Sequence, residues 1–204
     1  MLLKKINSLA ALGLALTLAG PAVAVPVYDE TTNGDLSNNR ATPTSVSFTL
    51  GQNDVSGQTG SDSNGTDRDY FTFAVSTGYA LVSLTVLNSS LTAGGAAFFG
   101  LQAGGVVTVD PAAPTAAPLL GYELISPADI GTDILPALAT AAGAGGFTTP
   151  LGAGQYSVWL QDTNLAPSIY ELRFVISAIP EPGTVLLTLI GIAALGRSRR
   201  RHQT

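Results

Sequence analysis

The stretch that decides the fold is IYELRFVIS, residues 169–177. Its apolar side chains fall at every second position and define one face: Tyr170, Leu172, Phe174 and Ile176. Glu171 and Arg173 fall on the other face. A period of two is typical of a β-strand that is buried on one side. The stretch QYSVWLQ at 155–161 alternates in the same way, so two strands are predicted at the end of the domain.

The chain before these two strands also has the composition of short strands and turns. Segments rich in β-branched and aromatic residues predict strands. They lie at 46–50, 55–57, 70–75, 79–87, 96–101, 106–109 and 119–125. Polar and Gly- or Pro-containing segments predict turns and loops, here at 51–54, 61–69, 88–95 and 110–118. The Ala/Gly stretch 137–146 fits either a flexible loop or a short helical piece. The prediction is an all-β fold, an antiparallel β-sandwich or jelly roll.

The two ends of the chain have the composition of processing segments. Lys4 and Lys5 precede an apolar run at 9–19, and Ala22-Val23-Ala24 matches a signal-peptidase cleavage site. This order predicts a signal peptide over residues 1–24, with a signal helix and export from the cytoplasm. The predicted domains are therefore the signal peptide, an extracytoplasmic β-sandwich at 25–179 and a C-terminal segment at 180–204.

The charge of the middle region excludes several classes of function. Residues 25–179 contain three arginines against thirteen carboxylates, a net charge of −10. Such a surface repels phosphate backbones, so no nucleic-acid partner is predicted. The chain has no cysteine, and its single histidine, His202, lies in the C-terminal segment. Disulfides, a His-based catalytic triad and His/Cys zinc ligation are thereby excluded from the sandwich.

The C-terminal segment has three features in a fixed order. Pro180-Glu181-Pro182 is followed by an apolar run, Val185 to Leu195, and by a basic end made of Arg197, Arg199, Arg200 and Arg201. The uncharged fifteen residues from 182 to 196 span about 22 Å as a helix. This length is short of the roughly 30 Å hydrocarbon core of a bilayer, so a permanent transmembrane helix would be marginal.

This order resembles the PEP-CTERM sorting signal of Gram-negative bacteria. The resemblance implies recognition by an exosortase at the Pro180-Glu181-Pro182 motif, with the basic residues as a stop at the inner membrane. It further implies an inner-membrane-anchored precursor that is cut and delivered to the cell surface or extracellular matrix. The alternative is an ordinary single-span anchor with a proline-rich stalk.

A second pattern runs from Glu30 to Gly78. It combines Glu30-x-x-Asn33-x-Asp35, then Leu50-Gly51-x-Asn53-x-Val55-x-Gly57, then Asp67-Arg68-Asp69-Tyr70-Phe71-x-Phe73. The pattern resembles the start of a bacterial pre-peptidase C-terminal domain, a β-sandwich module of secreted proteins. In that family the early acidic residues and the Asp-x-Asp bind calcium in some members.

Calcium is therefore the one metal worth considering, although no cofactor is required by the sequence. Ca²⁺ takes six to eight oxygen ligands from carboxylates, amides and carbonyls. The candidate ligands are Glu30, Asn33, Asp35, Asp62, Asn64, Asp67 and Asp69. The same Asp and Asn residues also form turns by bonding their own backbone. The sequence favours turn formation, with a calcium site as the alternative.

Three hypotheses for the delivered domain remain open. The first is a non-enzymatic structural component of the surface or the exopolysaccharide matrix, as in a biofilm. The second is a calcium-stabilised module that binds carbohydrate or another surface. The third is a glycosidase that uses a carboxylate pair, although no pair is marked in the sequence. Trp159 with Tyr156 and Tyr170 is a candidate aromatic platform for sugars, but core packing is the favoured interpretation.

Overall fold

The computed structural model describes residues 26–62, 65–91, 95–162 and 167–179. The predicted signal helix at 1–24 and the predicted hydrophobic helix within 180–204 lie outside the described residues. Among the described ranges, no helix is long and apolar enough to cross a membrane.

The described residues form nine strands, which are β1 Pro26–Asp29, β2 Thr44–Ser45, β3 Gly51–Asp62, β4 Gly65–Val75, β5 Tyr79–Ser89, β6 Ala97–Ala103, β7 Gly121–Ile125, β8 Gly154–Gln161 and β9 Ser168–Ala178. Two short α-helices accompany them, α1 Glu30–Asn33 and α2 Leu135–Ala139, with a 3₁₀ turn at Pro127–Asp129. The Ala/Gly stretch 137–146 is therefore helical only at its start.

The strands form two sheets, which we name the front sheet and the back sheet. The front sheet has the order β5-β9-β3, all antiparallel, with β1 added in parallel to β3. The back sheet has the order β4-β8-β6-β7, also antiparallel, with β2 added in parallel to β4. The sheets are joined where Gly60–Asp62 of β3 pairs with Gly65–Asp67 of β4.

The two sheets pack face to face around an aromatic core. Phe174 of the front sheet lies 6.0 Å from Phe71 and 5.5 Å from Phe73 of the back sheet, measured between ring centroids. The alternating face predicted for β9 is the one that is buried, since Tyr170, Leu172, Phe174 and Ile176 all belong to this core. The structure confirms the all-β class and the antiparallel two-sheet packing. The β3–β4 junction makes the sheet nearly continuous, close to a barrel.

A second, smaller cluster covers the outer face of the back sheet. Trp159 and Tyr70 stack there with ring centroids 6.1 Å apart. Val107, Val109 and Leu119, from the segment between β6 and β7, close over them. The prediction of a strand at 106–109 is wrong, because these valines cover a sheet face and do not join a ladder.

The segment 46–54 also differs from the prediction. Residues 46–50 are not a strand: Val46 and Phe48 point into the core at the edge of the sandwich, and Phe48 stacks on Phe73 at 4.5 Å. Residues 51–54, predicted as a turn, begin β3. The buried Asn53 amide donates to the carbonyls of Thr49, Gly51 and Phe174. A residue type that usually forms turns therefore fixes the start of a strand.

The predicted loop at 61–69 is much shorter in the structure. β3 extends to Asp62 and β4 begins at Gly65, so Asp67 and Asp69 lie within a strand. Continued pairing with β3 and β8 carries the ladder through this polar sequence. The consequence is that Asp69 is held at a fixed position against the front sheet.

Candidate cation site

The site is built at the end of the sandwich where β9 begins. There, α1 and the segment after it lie across β3, and β4 lies beside them. Three carboxylates converge from these elements: Glu30, Asp35 and Asp69 offer one oxygen each, and the three oxygens lie within 4.8 Å of one another. Their burial differs, since Asp69 is buried, Glu30 is half-buried and Asp35 is exposed.

The short helix α1 positions Glu30. Asp29 caps the helix, because its carboxylate accepts hydrogen bonds from the Thr31 N–H at 2.9 Å and the Thr31 hydroxyl at 2.7 Å. These bonds lower the pKa of Asp29. Asn33 accepts from the Asp29 N–H at 2.9 Å. Asn33 therefore fixes the helical turn, with its side-chain oxygen engaged by the backbone of that turn.

Glu30 is held inward by two backbone donors. Its Oε1 accepts from the Leu36 N–H at 2.9 Å and its Oε2 from the Gln58 N–H at 2.8 Å. Burial raises the pKa of Glu30, although the two backbone bonds oppose the shift. Gly57 makes this approach possible, because a Cβ there would lie 2.8 Å from Oε2 of Glu30 and 2.5 Å from the Tyr170 hydroxyl.

Asp69 is the deepest member of the cluster. Its exposed fraction is 0%, and its Oδ2 accepts a 2.6 Å hydrogen bond from the Tyr170 hydroxyl. Its other oxygen, Oδ1, is buried without a hydrogen-bond partner in the described part of the chain. Burial, followed by the charge of Glu30, raises the pKa of Asp69 to about 9. A buried carboxylate oxygen without a partner is costly and calls for an explanation.

The two tyrosines beside the cluster feel the same negative field. Burial and then the charge of Asp69 raise the pKa of Tyr170 well above its ordinary value. Burial and then the charge of Glu30 raise the pKa of Tyr28. The region thus holds three carboxylates and two phenols. In the described part of the chain, the hydrogen bonds of Glu30, Asp69 and the two tyrosines involve no positively charged side chain. A bound cation would reverse these shifts.

Asp67 lies at the edge of the site and not among the converging oxygens. Its Oδ1 accepts from the Asn38 side-chain amide at 3.0 Å. It contributes to the raised pKa of Asp69. Asp67 and Asp35 both line a surface cavity of about 280 Å³, whose other walls include Asn38, Gln58 and Thr66.

The seven candidate ligands are thus divided by the structure. Glu30, Asp35 and Asp69 come together, Asp67 lines the adjoining cavity, and Asn33 caps its own turn. Asn64 and the side chain of Asp62 lie outside what is described. Sequence reasoning missed Tyr170 and Gly57 as parts of the site. Tyr170 follows the core pattern of β9, and nothing in that pattern indicates that its hydroxyl reaches Asp69.

The donor set fits calcium. A Ca²⁺–oxygen distance of about 2.3–2.6 Å lets one ion contact oxygens up to about 5 Å apart, which covers the 4.8 Å spread of the three carboxylate oxygens. All three ligands are hard oxygen donors, which calcium prefers. The fit rests on the unpartnered Oδ1 of Asp69.

The aromatic platform of Trp159, Tyr156 and Tyr170 is not formed. Tyr156 and Tyr170 belong to the core between the sheets, whereas Trp159 lies in the cluster on the outer face of the back sheet. Trp159 is only 3% exposed. The favoured interpretation of core packing is confirmed, since all three rings are buried.

The comparison with protein families gives one match. Residues 178–201 match the model of the PEP-CTERM protein-sorting motif. No curated protein and no solved structure matches the chain. The suggested sorting signal is thereby confirmed, and it indicates an exported, cell-surface protein that an exosortase processes.

Proposed function

We propose that this chain is an exosortase-sorted structural component of the cell surface or exopolysaccharide matrix, and that one calcium ion stabilises its sandwich. The sorting motif at 178–201 supports the delivery route. The calcium part is carried by one observation: Asp69 belongs to a carboxylate cluster, and its buried Oδ1 has no described hydrogen-bond partner. Glu30, Asp35 and Asp69 hold the ion.

A stabilising role fits the position of the site. Asp69 belongs to β4, and Tyr170, which bonds it, belongs to β9. Glu30 bonds the backbone of β3 through Gln58. An ion bound by Glu30, Asp35 and Asp69 would therefore tie the back sheet, the front sheet and the N-terminal segment together. A metal that binds only the folded state stabilises it by an amount that rises with the logarithm of its affinity and concentration.

The burial of Asp69 favours binding over catalysis. A glycosidase needs two carboxylates flanking a bond of the substrate. Asp69 is fully buried and cannot contact a substrate in this conformation. The proposal is therefore a binding and structural role, with an exposed Asp35 on the outer side of the ion.

The experiment is calcium titration of the protein by calorimetry, with melting temperature recorded with and without calcium. We expect saturable binding of one ion and a higher melting temperature for the natural chain. Asp69→Asn and Asp35→Asn should each lose this response. Glu171→Gln is the matched control, because it removes one carboxylate of β9 that faces away from the core.

A calcium response that is retained in Asp69→Asn would refute the assignment of the ligands. A response absent from the natural chain would refute the calcium proposal and leave turn formation as the role of these residues. Magnesium in place of calcium tests selectivity, since Mg²⁺ demands shorter, octahedral contacts.

A further inference from the structure

The end of the sandwich opposite the cation site is where the described chain leaves the fold. β9 runs from Ser168 to Ala178, so Tyr170 lies at one end of the strand and Ile176 near the other. The Ile179 N–H donates to the Gly78 carbonyl at 2.8 Å. We name this end the exit end, made of 48–51, 75–79, 103–106, 150–154 and 178–179, which pairing brings together.

The exit end carries no charge, although the domain is strongly acidic. None of its five segments, all within the described ranges, contains Asp, Glu, Lys or Arg. Carboxylates lie instead toward the opposite end, at Glu30, Asp35, Asp67, Asp69 and Asp162, with Arg68 beside them. The sandwich is therefore electrically polarised along its strands.

The exit end also exposes apolar side chains. Leu50 is 64% exposed, Ile179 47% and Val106 42%. Beside Leu50 lies a cavity of about 220 Å³ whose walls include Phe48, Tyr79 and Ile176. Exposed apolar residues at an uncharged end fit an apolar or interfacial partner better than they fit bulk water.

The chain beyond Ile179 limits how far this end can lie from a membrane. Only residues 180–184 separate it from the apolar run that starts at Val185. Five residues reach at most about 17 Å when fully extended. A domain tethered so closely must present some surface to the bilayer, and anionic lipids repel its acidic end.

We propose that the exit end rests on the lipid surface while the precursor is anchored, with the carboxylate cluster directed away from the membrane. The inference rests on the sorting route of the proposed function and takes that route to pass through a precursor anchored in the inner membrane by its C-terminal segment. The six residue steps of β9 from Tyr170 to Ile176 correspond to about 20 Å at the usual rise per residue. The cation site is thereby displayed outward while the tail is still uncut.

The test uses the full chain, produced in a Gram-negative host that lacks an exosortase and reconstituted in vesicles of phosphatidylethanolamine and phosphatidylglycerol. The chain has no cysteine, so single cysteines take one fluorophore each. Thr77→Cys reports on the exit end and Asn38→Cys on the acidic end, and both positions are exposed. The readout is quenching of the fluorophore by aqueous iodide.

We expect quenching at position 77 to be several-fold weaker than at position 38 in vesicles. Adding Leu50→Glu should abolish this protection. Leu124→Glu is the matched control, because Leu124 is 57% exposed and lies on β7 away from the exit end, and it should preserve the protection.

Equal quenching at both positions in a chain that floats with the vesicles would overturn the inference alone. Failure to float would overturn the anchored precursor as well. Protection that persists without vesicles would instead show that a second copy of the chain covers the exit end.

Discussion

Asp69 is a fully buried carboxyl group that lies close to two other carboxylates. Its burial and the neighbouring charge of Glu30 disfavour ionisation, so its pKa rises to about 9. At neutral pH the cation-free protein therefore holds a proton at this residue. Calcium can replace the proton only by supplying more favourable interactions with the ionised group, which couples calcium binding to proton release.

This coupling gives the apo protein a defined pH dependence. The folded pKa of Asp69, about 9, exceeds its ordinary value of 3.8. Between these values the unfolded chain releases the proton and the folded chain retains it, so stability falls as pH rises from about 4 to about 9. Urea denaturation across this range should show the fall, and saturating calcium should reduce it.

Asp69→Asn provides the comparison for this prediction. The variant cannot titrate at position 69, so its stability should vary less with pH over the same range. Glu171→Gln, which leaves Asp69 intact, should keep the slope of the natural chain. Equal slopes for the natural chain and Asp69→Asn would show that another group causes the pH dependence.

Gly57 is the second residue on which the site depends. A Cβ at this position would lie 2.5 Å from the Tyr170 hydroxyl and 2.8 Å from the Glu30 carboxylate. We expect Gly57→Ala to cost about 1–3 kcal/mol of stability, as overpacked substitutions do. It should also weaken calcium binding, because it displaces Glu30.

Urea denaturation with Gly152→Ala as the control tests this role of Gly57. An added Cβ at Gly152 meets no atom within 4 Å, so that variant should stay within about 0.5 kcal/mol of the natural chain. Similar stability of the two variants would mean that the side chains of Glu30 and Tyr170 move away from the new Cβ with little loss of folding free energy.

Among the elements, β3 shows how a local prediction and a tertiary contact can disagree. Gly51-Gln52-Asn53-Asp54 has the composition of a turn, yet its four residues pair with residues 176 to 173 of β9. At the start of the strand, the Asn53 side-chain amide donates to three backbone carbonyls. Asp54 forms a bidentate ion pair with Arg173, with both N–O distances at 2.8 Å. The partners on β9 lie more than a hundred residues away, so no local pattern contains them.

We predict that Asn53→Ala loosens the start of β3. The substitution removes a 2.8 Å bond to the Thr49 carbonyl and a 2.7 Å bond from the Thr49 N–H. Leaving these partly buried groups without their partner costs about 1–3 kcal/mol. Amide exchange at residues 51–54 should accelerate, whereas Gln52→Ala, at an exposed position of the same strand, should leave it unchanged.

The sequence was most informative where burial is one-sided. The alternation of apolar and polar residues predicted β8 and β9, and the β-branched composition predicted β5. These signals are local, because successive side chains of a strand point to opposite faces. The site was predicted less well: Glu30, Asp35 and Asp69 were among the candidates, but so was Asn33. What selects among them is which carboxylates β3, β4 and α1 bring together, and that depends on pairing between distant segments.

At the scale of the whole molecule, the domain has two unlike ends and a sorting signal attached to one of them. The signal follows directly from Ala178, the last residue of β9. Cleavage near Pro180-Glu181-Pro182 would fall outside the described sandwich, so it would remove the tail without cutting any described strand. The proposed cation site and the sorting motif can therefore be tested independently.

Intact-mass spectrometry of the protein from its native envelope and culture medium tests the delivery route. We expect a mature chain that starts near Val25 and ends near Pro180-Glu181-Pro182, because the motif directs an exosortase to this segment. Glu181→Gln should retain the tail and hold the protein in the membrane fraction, whereas Asp69→Asn should be cut normally. A natural chain that still ends at Thr204 would contradict exosortase processing and favour a single-span anchor. The charge-free exit end would then face the inner membrane permanently, and the carboxylate cluster would act from that fixed position.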